Sequence, residues 1–247
     1  MKLFLITLLF SLNVSAQVIS IIPKPNYVQI AQGAFEITSN TKIYGGNTSS
    51  KFVKDIQYYF KDKSDIHLQV TNELTNNALR LSIDTKISEE SYSLIVNQDN
   101  ILISAGGESG LFYAFQSLKQ LLPQNSSTLH LPLLEIKDSP RFLWRSYMLD
   151  ESRYFHGEKF VKKILDQMAL LKMNKFHWHL VDDAGWRIEI KKYPLLTTTG
   201  AFRADSEIET WESGKTSGEA HGGFYTQEQI KDIVAYAAQR HITVIPE

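Results

Sequence analysis

The densest run of chemically able residues is His177-Trp-His179-Leu-Val-Asp182-Asp183-Ala-Gly-Trp186-Arg187. Phe176–Val181 reads as a strand, and alternation puts His177 and His179 on one side of it, with Phe176, Trp178 and Leu180 on the other. Two imidazoles with carboxylates beside them can ligate a divalent cation such as zinc. They can equally hydrogen-bond and orient those carboxylates. A plainer arrangement is buried histidines satisfied by backbone, with Asp182-Asp183 as a capping turn. A second cluster, Met148-Leu-Asp150-Glu-Ser-Arg153-Tyr-Phe-His156, follows the strand Trp144–Leu149. The Arg153 guanidinium is a planar fork that can hold two oxygens, such as neighbouring sugar hydroxyls or a carboxylate. An ion pair from Arg153 to Asp150 or Glu151 that closes the turn is the alternative. Trp144, Trp178, Trp186 and Trp211 are able to stack on a sugar ring, though core packing accounts for any one of them taken singly.

The elements that would position these groups alternate. The strand Trp144–Leu149 is followed by a helix over Gly157–Lys172, with Phe160, Ile164, Met168 and Leu171 on one face and Lys159, Lys162, Lys163 and Asp166 on the other. Then come the strand Phe176–Val181, a long polar loop, a helix over Gln227–Arg240 and the strand Ile242–Ile245. Thr226 and Gln229 have the spacing of a capping box. This order implies a parallel sheet with right-handed crossovers. Ligands of such sheets bind just beyond the carboxyl ends of the strands, where Asp150, Arg153, Asp182 and Asp183 fall. Upstream, from Val18 to about Ser139, short strands are expected at Ile66–Val70, Leu79–Ile83, Tyr92–Val96, Ile101–Ser104 and Leu129–Ile136. Helices are expected over Ser50–Lys61 and Ser109–Leu122. That half reads as an α+β domain with helices on one face of a sheet and no chemistry of its own.

Composition narrows the classes. The 247 residues hold 26 basic and 27 acidic side chains and no cysteine. A disulfide scaffold or thiolate metal site is therefore excluded. A formal net charge of -1 gives no bulk attraction to nucleic acid or anionic lipid. Residues 1–16 carry one lysine, an apolar run from Leu3 to Leu12, and Val14-Ser15-Ala16, which is the plan of a secretory signal peptide. The run is shorter than the ~20 residues that span a bilayer. A soluble protein without a membrane span, exported to the periplasm or beyond the cell, is expected. The last strand ends at Pro246-Glu247 with no neighbour downstream, which reads as a fragment or a truncated chain.

Together the two strands resemble glycoside hydrolase family 20, the β-N-acetylhexosaminidases. Arg145-Ser-Tyr-Met-Leu149-Asp150-Glu-Ser-Arg153-Tyr154 is similar to the family's first barrel strand, with Ser146 in place of a glycine. Lys172-Met-Asn174 followed by His177-Trp-His179-Leu-Val-Asp182-Asp183-Ala-Gly-Trp186-Arg187 is similar to its second. Tyr193-Pro-Leu-Leu196, Gly222-Gly-Phe-Tyr225-Thr226 and Pro246-Glu247 follow in the same order. Gly110–Leu122 and Asp138-Ser-Pro-Arg-Phe resemble the last helix and the linker of the family's N-terminal domain. The resemblance implies a non-catalytic α+β domain over 17–139. It implies the first three βα units of a (β/α)8 TIM barrel over 140–247.

It further implies retaining, substrate-assisted removal of terminal N-acetylglucosamine or N-acetylgalactosamine from a glycan or chitin oligomer, with no metal or other cofactor. By that resemblance Arg153 grips hydroxyls of the terminal sugar. Asp182 belongs to a hydrogen-bond network behind the catalytic acid, with His179 next to it. The Asp-Glu dyad of the family lies on a fourth strand, beyond Glu247. No catalytic residue is assigned within the chain, and the chain alone is expected to be inactive. The rival readings are a metal-dependent amidohydrolase-type barrel using His177 and His179, and a non-catalytic truncated remnant.

Overall fold

Alternating and helically spaced apolar residues sort the first half of the chain into one mixed sheet and two helices. In the computed structural model, which describes residues 19–123 and 128–247, these are β1 (Tyr27–Ile37), β2 (Lys42–Tyr44), α1 (Ser50–Ser64), β3 (Gln69–Thr71), β4 (Ala78–Ile83), β5 (Tyr92–Val96), β6 (Asn100–Ala105), α2 (Glu108–Leu121) and β7 (Leu129–Asp138). The leader expected over residues 1–16 lies outside the described residues. The sheet runs β1-β7-β5-β6-β4-β2-β3. Its pairs are antiparallel from β1 to β6 and parallel from β6 to β3. Phe52, Val53, Ile56 and Phe60 of α1 and Leu111, Phe115 and Leu118 of α2 share one core with the sheet. The expected strands and helices are all present. β1 escapes a reading by alternation because only Phe35 and Ile37 of it are buried, and because its register breaks between Ile30 and Ala34.

The second half comprises β8 (Ser146–Asp150), α3 (Glu158–Leu170), β9 (Lys175–His179), β10 (Val181–Asp182), β11 (Gly185–Trp186), α4 (Leu195–Thr198), β12 (Phe202–Arg203), β13 (His221–Gly222), α5 (Gln227–Ala238) and β14 (Thr243–Pro246). β14, β9 and β8 form a three-stranded parallel sheet, and the described residues form no closed barrel. α5 opens with the expected capping box, Thr226 and Gln229 each bonding the other's backbone amide. The apolar face of α3 needs correcting. Val161, Leu165, Met168 and Ala169 are the buried positions, while Phe160 and Leu171 lie at the exposed flank. The stripe is turned by about one residue, and the flank that carries Lys159, Lys163 and Asp166 stays exposed while reaching toward α5. Lys162 reaches Asp232 at 2.5 Å, and Asp166 accepts from Arg240 at 2.7 Å and from Tyr236 at 2.9 Å.

The two halves are fastened at the amino ends of the parallel strands. Arg145, just before β8, donates from both terminal nitrogens to the Glu90 carboxylate at 3.0 and 3.1 Å, and from Nε to the carbonyl of Lys172 at 2.7 Å. Lys172 closes α3 in the left-handed region, with φ 58. Its buried Nζ donates to the Tyr92 hydroxyl at 2.8 Å and to Asp138 at 2.9 Å. Asn174 accepts from the Arg145 amide and donates to the carbonyl of Leu143. Most polar groups named here find a partner across the joint or in the linker, and the same residues line a cavity of about 420 Å³ beside it.

Burial alone would raise the Glu90 carboxyl, but the hydrogen bond and charge of Arg145 bring it below its ordinary value. A depressed carboxylate contributes stability above the unfolded pKa of about 4.3 and loses it as pH falls through the folded value. Arg145→Met is expected to lower the unfolding free energy at pH 7 by about 3 kcal/mol, by leaving Glu90 without its counter-charge. Urea titrations should show the gap to wild type narrowing below about pH 4; a gap independent of pH would refute the coupling.

Candidate functional site

Asp150 ends β8 directly opposite His179, the last residue of β9. The chain turns there because the amides of Glu151 and Ser152 both donate to the carbonyl of His179, at 3.0 and 3.2 Å. The turn brings Arg153 back over the strand end. Asp150 accepts from the Arg153 amide at 3.0 Å and from its Nη1 at 3.1 Å. Nη2 of Arg153 lies 2.7 Å from Asp182 Oδ2. Nη1 also lies 3.2 Å from His179 Nδ1. His179 stands between the two carboxylates, its Nδ1 3.4 Å from Asp150 Oδ1 and its Nε2 3.6 Å from Asp182 Oδ2. The Asp183 amide first, and then Arg153 and His179, hold the Asp182 carboxyl below its usual range.

Arg153, His179 and Asp182 therefore form one cluster, joined by Asp150. The Arg153–Asp150 ion pair leaves the arginine side chain 53% exposed. Its Nε has no partner among the described residues. Two carboxylates hold Nη1 and Nη2, and the side chain stays half exposed beyond them. Glu151 is not a partner. It is fully buried and accepts from the His156 amide at 2.9 Å; burial raises its carboxyl, opposed by that amide and the His156 ring. His177 points from the same face of β9 as His179 but pairs with Glu247, Nε2 to Oε2 at 2.5 Å. The two histidines that a metal would share thus turn to different partners. Of the tryptophans, Trp178 is core, packed on Phe176 and Tyr225. Trp186 donates to the carbonyl of Ile188. Trp144 is exposed beside Lys175, and the Trp211 side chain lies outside the described residues.

Behind the cluster sits a fully buried arginine. Arg187 donates through Nε to the carbonyl of Glu151 at 3.0 Å and through Nη2 to that of Ser152 at 2.9 Å. Nη1 reaches the carbonyls of Ala201 at 2.5 Å and Gly223 at 3.3 Å. One guanidinium thereby ties the turn after β8 to the segments before β12 and after β13. The position opposite it must be a glycine: a Cβ at Gly185 would stand 2.4 Å from Arg187 Nη2. Ser152 adds a bond from its hydroxyl to the carbonyl of Gly185.

Residues 18–139 match the model of glycosyl hydrolase family 20, domain 2, and residues 142–247 that of the glycosyl hydrolase family 20 catalytic domain. The chain belongs to glycosyl hydrolase family 20. A β-hexosaminidase of Vibrio furnissii is 38% identical over 94% of the chain and 38% of its own length. One of Porphyromonas gingivalis is 40% identical over 93% of the chain and 30% of its own length. Among solved structures, the exo-β-N-acetylglucosaminidase of Vibrio harveyi in complex with N-acetylglucosamine superposes with a TM-score of 0.79 at 35% identity, over 92% of this chain and 35% of that one. The Bacteroides fragilis β-N-acetylhexosaminidase gives 0.77 at 34% identity, over 92% of this chain and 44% of that one. The chain spans about a third of the length of the curated relatives it matches.

Within this family-20 chain, the sequence reading located the Arg153 cluster but offered Glu151 only as a partner of Arg153, which it is not, and gave no part to Arg203 or His221. Arg187 stood in the quoted motif without a role. The available signal was the Gly185-Trp186-Arg187 triplet, where a small residue makes room for a buried cation. If the guanidinium holds the three segments together, Arg187→Met should cost about 3 kcal/mol or more in urea unfolding. Arg187→Lys should regain less than half, because a point charge cannot reach four carbonyls. Gly185→Ala should cost about 1–3 kcal/mol by overpacking. A neutral Gly185→Ala would show that the space is not occupied as described.

Proposed function

We propose that this chain supplies the sugar-gripping part of a β-N-acetylhexosaminidase acting on terminal N-acetylhexosamine of glycans or chitin oligomers. The observation that carries the reading is the half-exposed guanidinium of Arg153, held between Asp150 and Asp182 at the carboxyl ends of parallel strands. Two parallel N–H groups match two adjacent ring hydroxyls. Family membership and the likeness to an enzyme holding N-acetylglucosamine support it. In this reading residues 17–139 are the non-catalytic domain, and 140–247 contribute β8, β9 and β14 with α3 and α5 as the first three units of a (β/α)8 barrel. Residues 1–16 direct export.

Arg153 orients the sugar ring, so that the substrate's own acetamide can attack the anomeric carbon with retention. Asp182, kept ionised by the Asp183 amide and Arg153, anchors the network that orients the acid. His179 fills the angle between Arg153 and Asp182. No residue here is assigned as the acid or as the aspartate that polarises the acetamide. Asp150 and Asp182 are engaged with Arg153, and Glu151 is sealed behind them.

Hydrolysis of a nitrophenyl N-acetyl-β-D-glucosaminide, by a polypeptide in which these residues lie within a complete catalytic domain, tests the assignment. Arg153→Ala and Asp182→Ala are each expected to reduce kcat/KM by about 10²–10³-fold, the loss of a charge-assisted contact made at the transition state. Arg153→Lys should recover little, because an ammonium cannot present two parallel donors. A near-wild-type rate for Arg153→Ala would sink the reading.

A further inference from the structure

We propose that Arg203 and His221 are positioning residues for Arg153. They stand directly opposite each other on the antiparallel ribbon of β12 and β13, far along the chain from the turn they serve. Arg203 donates through Nη2 to the carbonyl of Arg153. His221 accepts at Nε2 from the amide of Phe155 at 2.9 Å. The ribbon therefore holds the peptide groups on both sides of Tyr154. It grips that residue's ring as well, since Tyr154 and His221 stack with centroids 3.8 Å apart and planes 20° from parallel.

The direction of each bond defines what the ribbon must supply. The Arg153 carbonyl needs a donor, and a guanidinium offers one at any ordinary pH. The Phe155 amide needs an acceptor, so His221 must be neutral, with its proton on Nδ1. Burial first, then the guanidinium groups of Arg187 and Arg203 and the neighbouring His156, hold the His221 pKa below the usual histidine value, in keeping with that state. Arg203 is itself steadied by bonds to the Ser206 hydroxyl and the carbonyl of Ala184.

The consequence concerns Arg153 because its two peptide ends have separate owners. Its amide is bound by Asp150 at the strand end, and its carbonyl by Arg203 from the ribbon. With both held, the side chain leaves the backbone at one angle and its guanidinium falls between Asp150 and Asp182. With the ribbon's hold removed, the turn from Arg153 to His156 can swing about Ser152, which Arg187 still fixes, and the fork loses its aim without any loss of core.

This inference rests on Arg153 being the residue that grips the sugar, but its test needs no sugar. Arginine side-chain NMR of the 247-residue chain reads rotation about the Arg153 Nε–Cζ bond, with the signal assigned through Arg153→Lys. Pairing with two carboxylates should make that rotation slow enough to separate the Nη1 and Nη2 signals in the wild type. His221→Phe, which keeps a stacking ring and removes the acceptor, should speed the rotation about tenfold, as should Arg203→Met. His221→Gln restores an acceptor oxygen and should stay within about twofold of wild type. The Arg187 Nε–H signal should not move, which separates lost aim from lost fold.

Wild-type rotation in both His221→Phe and Arg203→Met overturns the positioning role, even if Arg153 proves essential for turnover. A displaced Arg187 signal in both variants overturns it as well, by showing a general structural role. Wild-type turnover by Arg153→Ala would instead overturn the sugar-gripping reading, while leaving the NMR result as it stands.

Discussion

The buried guanidinium of Arg187 is the interaction on which the carboxyl end of the parallel sheet depends. Taking such a charge out of water costs several kcal/mol, and burial indeed lowers its pKa, with Arg203 adding to the effect and Glu151 opposing it. The cost is tolerable because the guanidinium is planar and carries five donors, enough to answer carbonyls at Glu151, Ser152, Ala201 and Gly223. Those four carbonyls belong to three segments, two of them joined by the β12–β13 ribbon and the third drawn against it. A loop excursion as long as the one from β11 to α5 would ordinarily drift over the surface. Here it is drawn against the turn after β8, and the Arg153 cluster is built in the seam. Gly223 shows how close that seam is: its φ of 149 is a left-handed-side conformation that favours glycine, and a Cβ there would stand 2.3 Å from the Phe155 ring.

A second fastening, at the opposite end of the same strands, divides the motif residues into two kinds. Lys172 and Asn174 stand only five and three residues before His177, yet they face away from the chemistry. They seal the joint with the first domain through Asp138, Tyr92 and the Arg145–Glu90 pair. Arg145 likewise opens the strand whose far end carries Asp150. The parallel arrangement explains the split: each strand enters at the joint and leaves at the site, so one short motif serves both. The first domain needs no chemistry to matter, since it supplies Glu90, Tyr92 and Tyr113 as fixed partners for groups that would otherwise be buried alone.

Much of this was legible in the sequence because it is local. Alternation at Phe176–Leu180 separates core from site, and the structure keeps that division, with Phe176, Trp178 and Leu180 buried. The Thr226–Gln229 cap and the α1 stripe are equally short-range signals. Three things were not legible, for physical reasons. β1 lies at a sheet edge with one side open, so its residues need not alternate. The α3 stripe was misplaced by a residue because Phe160 and Leu171, apolar at the two ends of the helix, lie partly in water and shift the apparent face. Arg203 and His221 were invisible because their partners are backbone atoms some 50 and 66 residues away in sequence, and a backbone partner leaves no residue type to read.

The balance of charge around Arg153 has a consequence for how such a site would bind. One guanidinium faces two carboxylates, so the side chain has no electrostatic reason to leave. An arginine gives up about 2 kcal/mol of rotamer entropy when it is ordered. Here that loss is incurred on folding, offset by the contacts to Asp150, Asp182 and His179. On the proposed reading, a sugar reaching this guanidinium meets a side chain already held in place, and desolvates only the half still exposed to water. The guanidinium groups of Arg187 and Arg203 stand against the same turn and offset Asp150 and Asp182, so what the arrangement supplies is a fixed position for Arg153 rather than a net field.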